Sequence, residues 1–422
     1  MSNPLRKGFQ AARRMAQTTL ALQKTGWHWV RHRDTPLPEL ARQTVEELGS
    51  TYIKLGQLIA SSPSLFPHEY VEAFQSCLDQ TTPLPYSTIE KVLKSELGPN
   101  LNRHFREIDP VPLASASIAQ VHAARLYSGE DVVIKVQKPG VQDILDTDFQ
   151  FMQFSAFLLE KLSKHIPESS ITDMVQEIRN GMLEECDFHR EADNIDLYAR
   201  FLANNKITHV TVPLVYRQSS TERVLTMERF HGVSLSNIDE VRRINPHPEQ
   251  ALIDALNTWF ASLTQCQIYH ADLHAGNVMM LEDGRIGFID FGIVGRISKG
   301  TWASLLSLIA TVPTRDFNAI ANAMAGMGAT NQNVDTTALA RDLENLYNQF
   351  QMDETDDNFL NDITLRVSTL GRQHGIRFPR EFTLLLKQFL YFDRYIRLLS
   401  PDLDLFGDER ILFTPAHGLP GA

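Results

Sequence analysis

The 422-residue sequence predicts an α+β protein of two lobes, with a helical extension ahead of them and a second lobe that is mostly helix. Three observations carry this. Residues 1–110 show helical apolar periodicity, in patches such as Val45, Leu48, Tyr52, Ile53, Leu55 and Leu58. Residues 111–235 mix β-branched strand runs with long helical patterns. From 236 to 422 helical patterns dominate, interrupted by one stretch of short strands at 270–296.

In chain order, the extension (1–110) carries these periodic patches and then a loop around "TTPLP". The first lobe (111–235) opens with "SIAQVHAARLYSGEDVVIKV", two strand runs joined at Ser128-Gly129, a hairpin returning Val132 to Val136 beside Ser117 to Val121. Helical patterns at roughly 141–165 and 171–203 follow, then strands near 207–216 and 223–229. In the second lobe (236–422) the run Val278 to Leu281, the turn Glu282-Asp283-Gly284 and the return Arg285 to Ile289 form a second hairpin.

Composition excludes several classes. A chain 43% hydrophobic buries a sizeable core, and a formal charge of −11 with no Lys/Arg-rich run interleaved with aromatics argues against nucleic acid as a partner. The charge is uneven. Seven cations precede Asp34 (Arg6, Lys7, Arg13, Arg14, Lys24, Arg31, Arg33), beside Phe9, Leu20, Leu22, Trp27 and Trp29. Such a segment suits either an anionic membrane surface or a first helix docked on the core. Cys77, Cys186 and Cys266 are far apart and form no C-x-x-C, which suits a reducing compartment. With no signal-peptide pattern and no apolar run long enough to span a bilayer, the expected location is the cytoplasm, with any membrane contact peripheral.

The densest chemistry is His270-Ala-Asp-Leu-His-Ala-Gly-Asn277, followed across the hairpin by Asp290-Phe291-Gly292. His270 and His274 have the spacing of two metal ligands on a helix face, but Asp272 between them and Gly276 after them favour a loop, in which the histidines brace the backbone by hydrogen bonds. The hairpin delivers Asp290 next to Asn277. A carboxylate and an amide oxygen are hard ligands that suit Mg²⁺ better than zinc. A nucleotide also needs a cation. No G-x-x-x-x-G-K-[ST] exists, whereas "VVIK" ends a strand run at Lys135, from which an ammonium can reach phosphates and pair with a helix carboxylate. A strand lysine snorkelling from an apolar sheet is the ordinary alternative. The order V-x-I-K, D-x-x-x-x-N, D-F-G makes the predicted fold protein-kinase-like.

With these motifs the sequence resembles the UbiB family of atypical protein-kinase-like proteins, also called AarF or ADCK, from about Leu48 to Leu399. The marks are "KLGQ" (Lys54, Gly56, Gln57), "ASAS" (Ala114, Ser115, Ala116, Ser117), Lys135, "ECD" (Glu185, Asp187), "HADLHAGN" and "DFG". The resemblance implies that Lys135 contacts the α/β-phosphates and pairs with Glu191. It makes Asp272 the base-like acid, Asn277 and Asp290 the Mg²⁺ ligands, and Met227 to Gly232, with Glu228, the hinge for adenine. It also implies a "KLGQ" helix over the active site, with Lys54 and Gln57 as regulatory residues facing Glu185 or Asp187. By themselves, Lys54 reads as a surface lysine of an amphipathic helix and Glu185 and Asp187 as a solvated acidic face; two carboxylates two apart reach one site only where a helix ends or bends.

The chain departs from the family at Leu273 and Ala275, where relatives carry prolines, and at Ser115 within the alanine run. Cβ atoms in "ASAS" restrict the close backbone approach that glycines allow, so nucleotide is expected to bind in a modified way. With no A-P-E after Gly292, a platform for peptide substrates is missing. The expected function is an Mg²⁺-dependent ATPase or atypical kinase supporting ubiquinone (isoprenoid quinone) biosynthesis, with ATP and Mg²⁺ as cofactors. Expected partners are an isoprenoid or phenolic lipid precursor, quinone-biosynthesis proteins and a peripheral membrane surface. Two rivals stay open: a catalytically silent nucleotide-binding scaffold for a lipid-biosynthetic complex, and a small-molecule phosphotransferase, against which "KLGQ" and "ASAS" count.

Overall fold

The computed structural model describes residues 35–48, 52–53, 56, 68–74, 83–162, 170–311, 314–327, 329–330, 334–350, 366–367, 369–378, 380–403 and 408–412. The basic segment before Asp34 and both Lys54 and Gln57 lie outside the described residues. The fold is mixed α+β, and the chain divides into two compact units. The first takes the helices before Phe105, the chain onward to Ala192, and Leu214–Arg229; the second takes Asp193–Pro213 and the chain from Phe230.

In the first unit, strands β1 (Phe105–Ser115), β2 (Ala119–Leu126) and β3 (Asp131–Gln137) form an antiparallel meander, and β3 pairs on its other side with a later strand, Val224–Glu228. The β2–β3 turn places Gly129 at φ +111°, a conformation that a Cβ would strain. Strand alternation decides the packing. Val132, Ile134 and Val136 are fully buried against Ile89, Val92 and Leu93 of a helix at Tyr86–Leu97, so Val133 and Lys135 face the other side of the sheet. That helix therefore belongs to the core of the strand-bearing unit, and β1 begins at Phe105, although sequence periodicity assigns both regions to the extension. Helices α4 (Val141–Leu162), α5 (Ser170–Glu184) and α6 (Phe188–Asn204) follow, the numbering counting Leu37–Leu48, His68–Phe74 and Tyr86–Leu97 as α1 to α3. The second of the two helical patterns is thus broken after Glu184.

The second unit holds a four-stranded sheet, β4 (Val210–Thr211), β9 (Ile286–Phe288), β8 (Val278–Leu281) and β6 (Gly232–Ser234) in spatial order, the strand Val224–Glu228 being β5. The predicted second hairpin is β8–β9, with Val278 opposite Phe288. Two helices build the adjacent core: α8 (Glu249–Gln265), which follows the short α7 (Ile238–Ile244), and the long C-terminal Arg380–Leu399, here α12, with α9 (Lys299–Thr311), α10 (Phe317–Met327) and α11 (Thr336–Phe350) before it. Trp259 of α8, fully buried, packs on Phe389 and Phe392 of α12 at ring separations of 5.5 and 5.9 Å. Among the described residues no helix is long and apolar enough to cross a membrane.

Candidate active site

The candidate residues fall into two sets, one in each unit. In the first, Lys135 on β3 donates to both carboxylate oxygens of Glu191 on α6, at 2.9 Å each, with only 12% of the lysine side chain and 3% of the glutamate exposed. The lysine ammonium also sits 5.5 Å from the Phe188 ring centroid. Strand alternation turns Lys135 off the Ile89 core, and the first turn of α6 brings Glu191 to meet it. This is a specific pair, not a snorkelling lysine.

Glu185 and Asp187 lie between α5 and α6, where the helical path does end. Asp187 Oδ1 accepts from the backbone N–H of His189 at 3.0 Å, the geometry of an N-cap. The intervening Cys186 is fully buried and its carbonyl accepts from Gln137 Nε2 at 2.9 Å, fastening the break to the end of β3. The "ASAS" residues form the end of β1 and its turn into β2: Ala114 and Ser115 pair with Val121 and Gln120, the Ala116 N–H donates to Ala119 O at 2.9 Å, and Ser117 is buried at the tip. Beside the turn, Gln120 is fully buried and exchanges two hydrogen bonds with the backbone of Leu84. At the other sheet edge Met227 is buried and Glu228 exposed. The N–H of Glu228 is bonded to Leu214 O at 2.8 Å and that of Arg229 to Asp131 O at 3.2 Å.

In the second unit the loop after β7 (Tyr269–His270) is held at nearly every residue. His270 is fully buried, with its carbonyl accepting from Trp259 Nε1 at 2.9 Å. Its Nδ1 accepts the Asp272 N–H at 3.1 Å, which leaves Nε2 to donate to Ile289 O at 3.0 Å. Burial pushes the His270 pKa down, opposed by the carbonyl of Ile289 and by Asp272 and Asp290, so the neutral ring is the form this network uses. His274 Nδ1 accepts the Gly276 N–H at 2.9 Å. Both rings brace the loop, and both nitrogens of His270 are committed, so the pair is not arranged as metal ligands.

Asn277 Nδ2 donates to Asp272 O at 2.9 Å. The amide nitrogen is thereby committed inside the loop, and the side-chain oxygen is the atom of this residue that could serve as a hard ligand. Ile289 N–H donates to Asn277 O at 2.9 Å, so Asp290 is the next residue along the return segment of the hairpin. Asp290 sits at φ +59°, a left-handed backbone that costs about 1–2 kcal/mol in a residue other than glycine. Its Oδ1 accepts the Gly292 N–H at 3.2 Å, and Phe291 O accepts from Asn194 Nδ2 at 3.0 Å. Phe291 is fully buried with its ring 4.6 Å from that of His270. An amide oxygen and a carboxylate brought onto neighbouring segments by the hairpin are hard donors, and fit a cation completed by water and phosphate oxygens.

Sequence reasoning missed the residues that grip this loop from α12. Lys387 Nζ donates to Asp272 Oδ1 at 3.0 Å, while His274 Nε2 lies 3.6 Å from Oδ2. Gln388, fully buried, accepts the Leu273 N–H and donates to Ala271 O, both at 2.7 Å, and Tyr395 Oη donates to Leu273 O at 2.7 Å. The helical periodicity of α12 is visible in the sequence; which of its residues touch a loop over a hundred positions earlier is not.

Comparison with known proteins adds the family. Residues 76–324 match the ABC1 atypical kinase-like domain. An Arabidopsis thaliana chloroplastic aarF domain-containing protein kinase is 46% identical over 399 residues, covering 89% of this chain and 74% of that protein. A Marinobacter nauticus protein named "Probable protein kinase UbiB" is 27% identical over 388 residues, covering 90% and 70%. Among solved structures, the Mycobacterium tuberculosis protein Rv3197, in complex with erythromycin, superposes with a TM-score of 0.56 at 24% identity, covering 91% of this chain and 94% of that one, a likeness of fold.

Proposed function

This chain belongs to the ABC1 atypical kinase-like family, and from that premise we propose that it binds ATP with Mg²⁺ and either hydrolyses it or transfers its γ-phosphoryl group to a small or lipid acceptor in isoprenoid-quinone biosynthesis. The observation that carries the reading is Asn277, its amide nitrogen held by Asp272 O and its backbone carbonyl taken by the N–H of Ile289, the residue before Asp290. Asn277 and Asp290 would hold the Mg²⁺, which when bound would neutralise charge on the phosphate oxygens. Lys135, oriented by Glu191, is assigned to the α/β-phosphates. Asp272 is assigned to orienting the acceptor hydroxyl or water. The "ASAS" turn is assigned to cover the phosphates with a Cβ-bearing backbone. Adenine is assigned to Met227 and Glu228, where the N–H groups of Glu228 and Arg229 are already bonded to Leu214 O and Asp131 O.

Peptide substrates are disfavoured because α9 begins at Lys299, leaving only residues 293–298 after Gly292. Lys54 and Gln57 are assigned to regulation opposite Glu185 and Asp187. Phosphate release by purified protein, with and without Mg²⁺, detergent and prenylphenol-like compounds, tests the proposal. Mg²⁺-dependent release that falls in Asp272→Asn with binding spared, and that falls with weakened Mg²⁺-nucleotide binding in Asp290→Asn, is the expected result. Nucleotide binding with neither phosphate release nor conversion of ATP to ADP would leave the scaffold reading in its place, and unmutated rates in both variants would expose a contaminant.

A further inference from the structure

The loop between Asp272 and Asn277 reads Leu-His-Ala-Gly and carries no lysine or arginine. The chain instead brings a permanent cation to Asp272 from a separate helix. Lys387 Nζ is 3.0 Å from Asp272 Oδ1, and the two side chains are 21% and 17% exposed, so the pair is mostly withdrawn from water. The ammonium also lies 5.5 Å from the centroid of the Tyr391 ring, one helical turn along α12. The next residue, Gln388, holds the backbone on both sides of Asp272 through Ala271 O and Leu273 N. Helix α12 cannot slide or rotate without breaking those bonds, and Lys387 is therefore presented to Asp272 in a fixed register.

We propose that Lys387 is a positioning residue of the phosphoryl-transfer centre: it holds the Asp272 carboxylate in one orientation and compensates its charge from outside the loop. This rests on the assignment of Asp272 to phosphoryl transfer. Lys387 acts through Asp272, so its loss should degrade turnover more than nucleotide binding. A carboxylate free to swing by about 1 Å costs on the order of 100-fold in rate. The alternative is a packing contact that stabilises α12 without bearing on chemistry.

The test uses the full chain, with Mg²⁺-ATP as the probe and phosphate release as the readout, in Lys387→Met, Lys387→Arg, Asp272→Asn and the Lys387→Met/Asp272→Asn double variant. The melting temperature of each is recorded, and turnover is measured well below the lowest. Lys387→Met should lower kcat by about 10- to 100-fold with KM for ATP within about twofold. Lys387→Arg should recover a substantial part of kcat. In the Asp272→Asn background, Lys387→Met should change kcat by less than about twofold, since the carboxylate it orients is gone. The proposal is overturned by a Lys387→Met kcat equal to that of the unmutated chain, by full additivity in the double variant, or by a loss that arginine does not relieve and that tracks the melting temperature. If Lys387→Met does not fold, Lys387→Arg and Asp272→Asn still decide: a folded arginine variant as inactive as Asp272→Asn overturns the proposal. An unmutated chain that neither releases phosphate nor converts ATP to ADP overturns the proposed function and this inference with it, whereas an active chain indifferent to Lys387 removes this inference alone.

Discussion

Removing one partner of the Lys135–Glu191 pair should destabilise the protein far more than removing both. The pair is made through two 2.9 Å hydrogen bonds, with the glutamate 3% and the lysine 12% exposed. Stranding one charge of a fully buried pair costs about 3–5 kcal/mol, and the lysine's residual exposure puts Glu191→Gln, which strands the ammonium, toward about 3. Lys135→Met strands the more deeply buried carboxylate and should cost more. For a folding unit of this size 1 kcal/mol corresponds to roughly 2–4 °C, so Glu191→Gln should lower the melting temperature by roughly 6–12 °C. The double variant Lys135→Met/Glu191→Met leaves no charge to desolvate and should regain much of that loss. Urea denaturation without nucleotide, read by fluorescence and circular dichroism, gives each value. Single variants that each lose less than about 1 kcal/mol, or a double variant that loses the sum of the singles, would refute the reasoning.

His270 supplies a pH test. Because burial lowers its pKa below the unfolded value of 6.5, the unfolded chain takes up the proton first, and stability falls as pH drops below about 6.5, by at most ~1.4 kcal/mol per pH unit. His270→Asn should flatten the dependence of melting temperature on pH between 7.5 and 5.5; identical slopes would exclude His270 as its source. Gly232→Ala would drive a methyl group into the Met280 carbonyl on the neighbouring strand and should cost about 1–3 kcal/mol, measured by urea denaturation. Residues 1–34 should increase sedimentation with anionic liposomes in a way that salt reverses, since exposed charge is screened within about 10 Å at 0.1 M salt. Equal binding by a chain starting at Asp34 would remove that role.

Much of the architecture is legible because it is local. The alternation of Val132, Ile134 and Val136 against Val133 and Lys135 is a period-two pattern, and it alone decides which face Lys135 leaves by. The turn at Glu282-Asp283-Gly284 fixes the β8–β9 register and with it the adjacency of Asn277 and Asp290. The break between α5 and α6 was harder to see. Apolar periodicity runs on through 171–203, and the helix ends at Glu184 because Gln137 and the Asp187 cap satisfy the backbone beyond it, contacts made with another strand and by a side chain that also reads as helix surface. Lys387, Gln388, Tyr395 and the Gln120–Leu84 clasp were not legible at all. Each is a polar residue on an otherwise ordinary amphipathic helix or strand, and its partner is set by tertiary packing over 36 to 122 positions.

The grip of α12 on the loop also orders events during synthesis. Ala271 O, Leu273 N and Leu273 O take their partners from Gln388 and Tyr395, and Asp272 takes its lysine from 115 residues downstream. At roughly 5–20 residues per second, a ribosome that has just made Asp272 needs about 6–23 s more to make Lys387. Through that interval Ala271 O, Leu273 N–H, Leu273 O and the Asp272 carboxylate exist without their α12 partners. The nascent chain can fold its strand-bearing first unit, whose Lys135 and Glu191 are already made, while the loop that carries Asp272 still waits for its last helix.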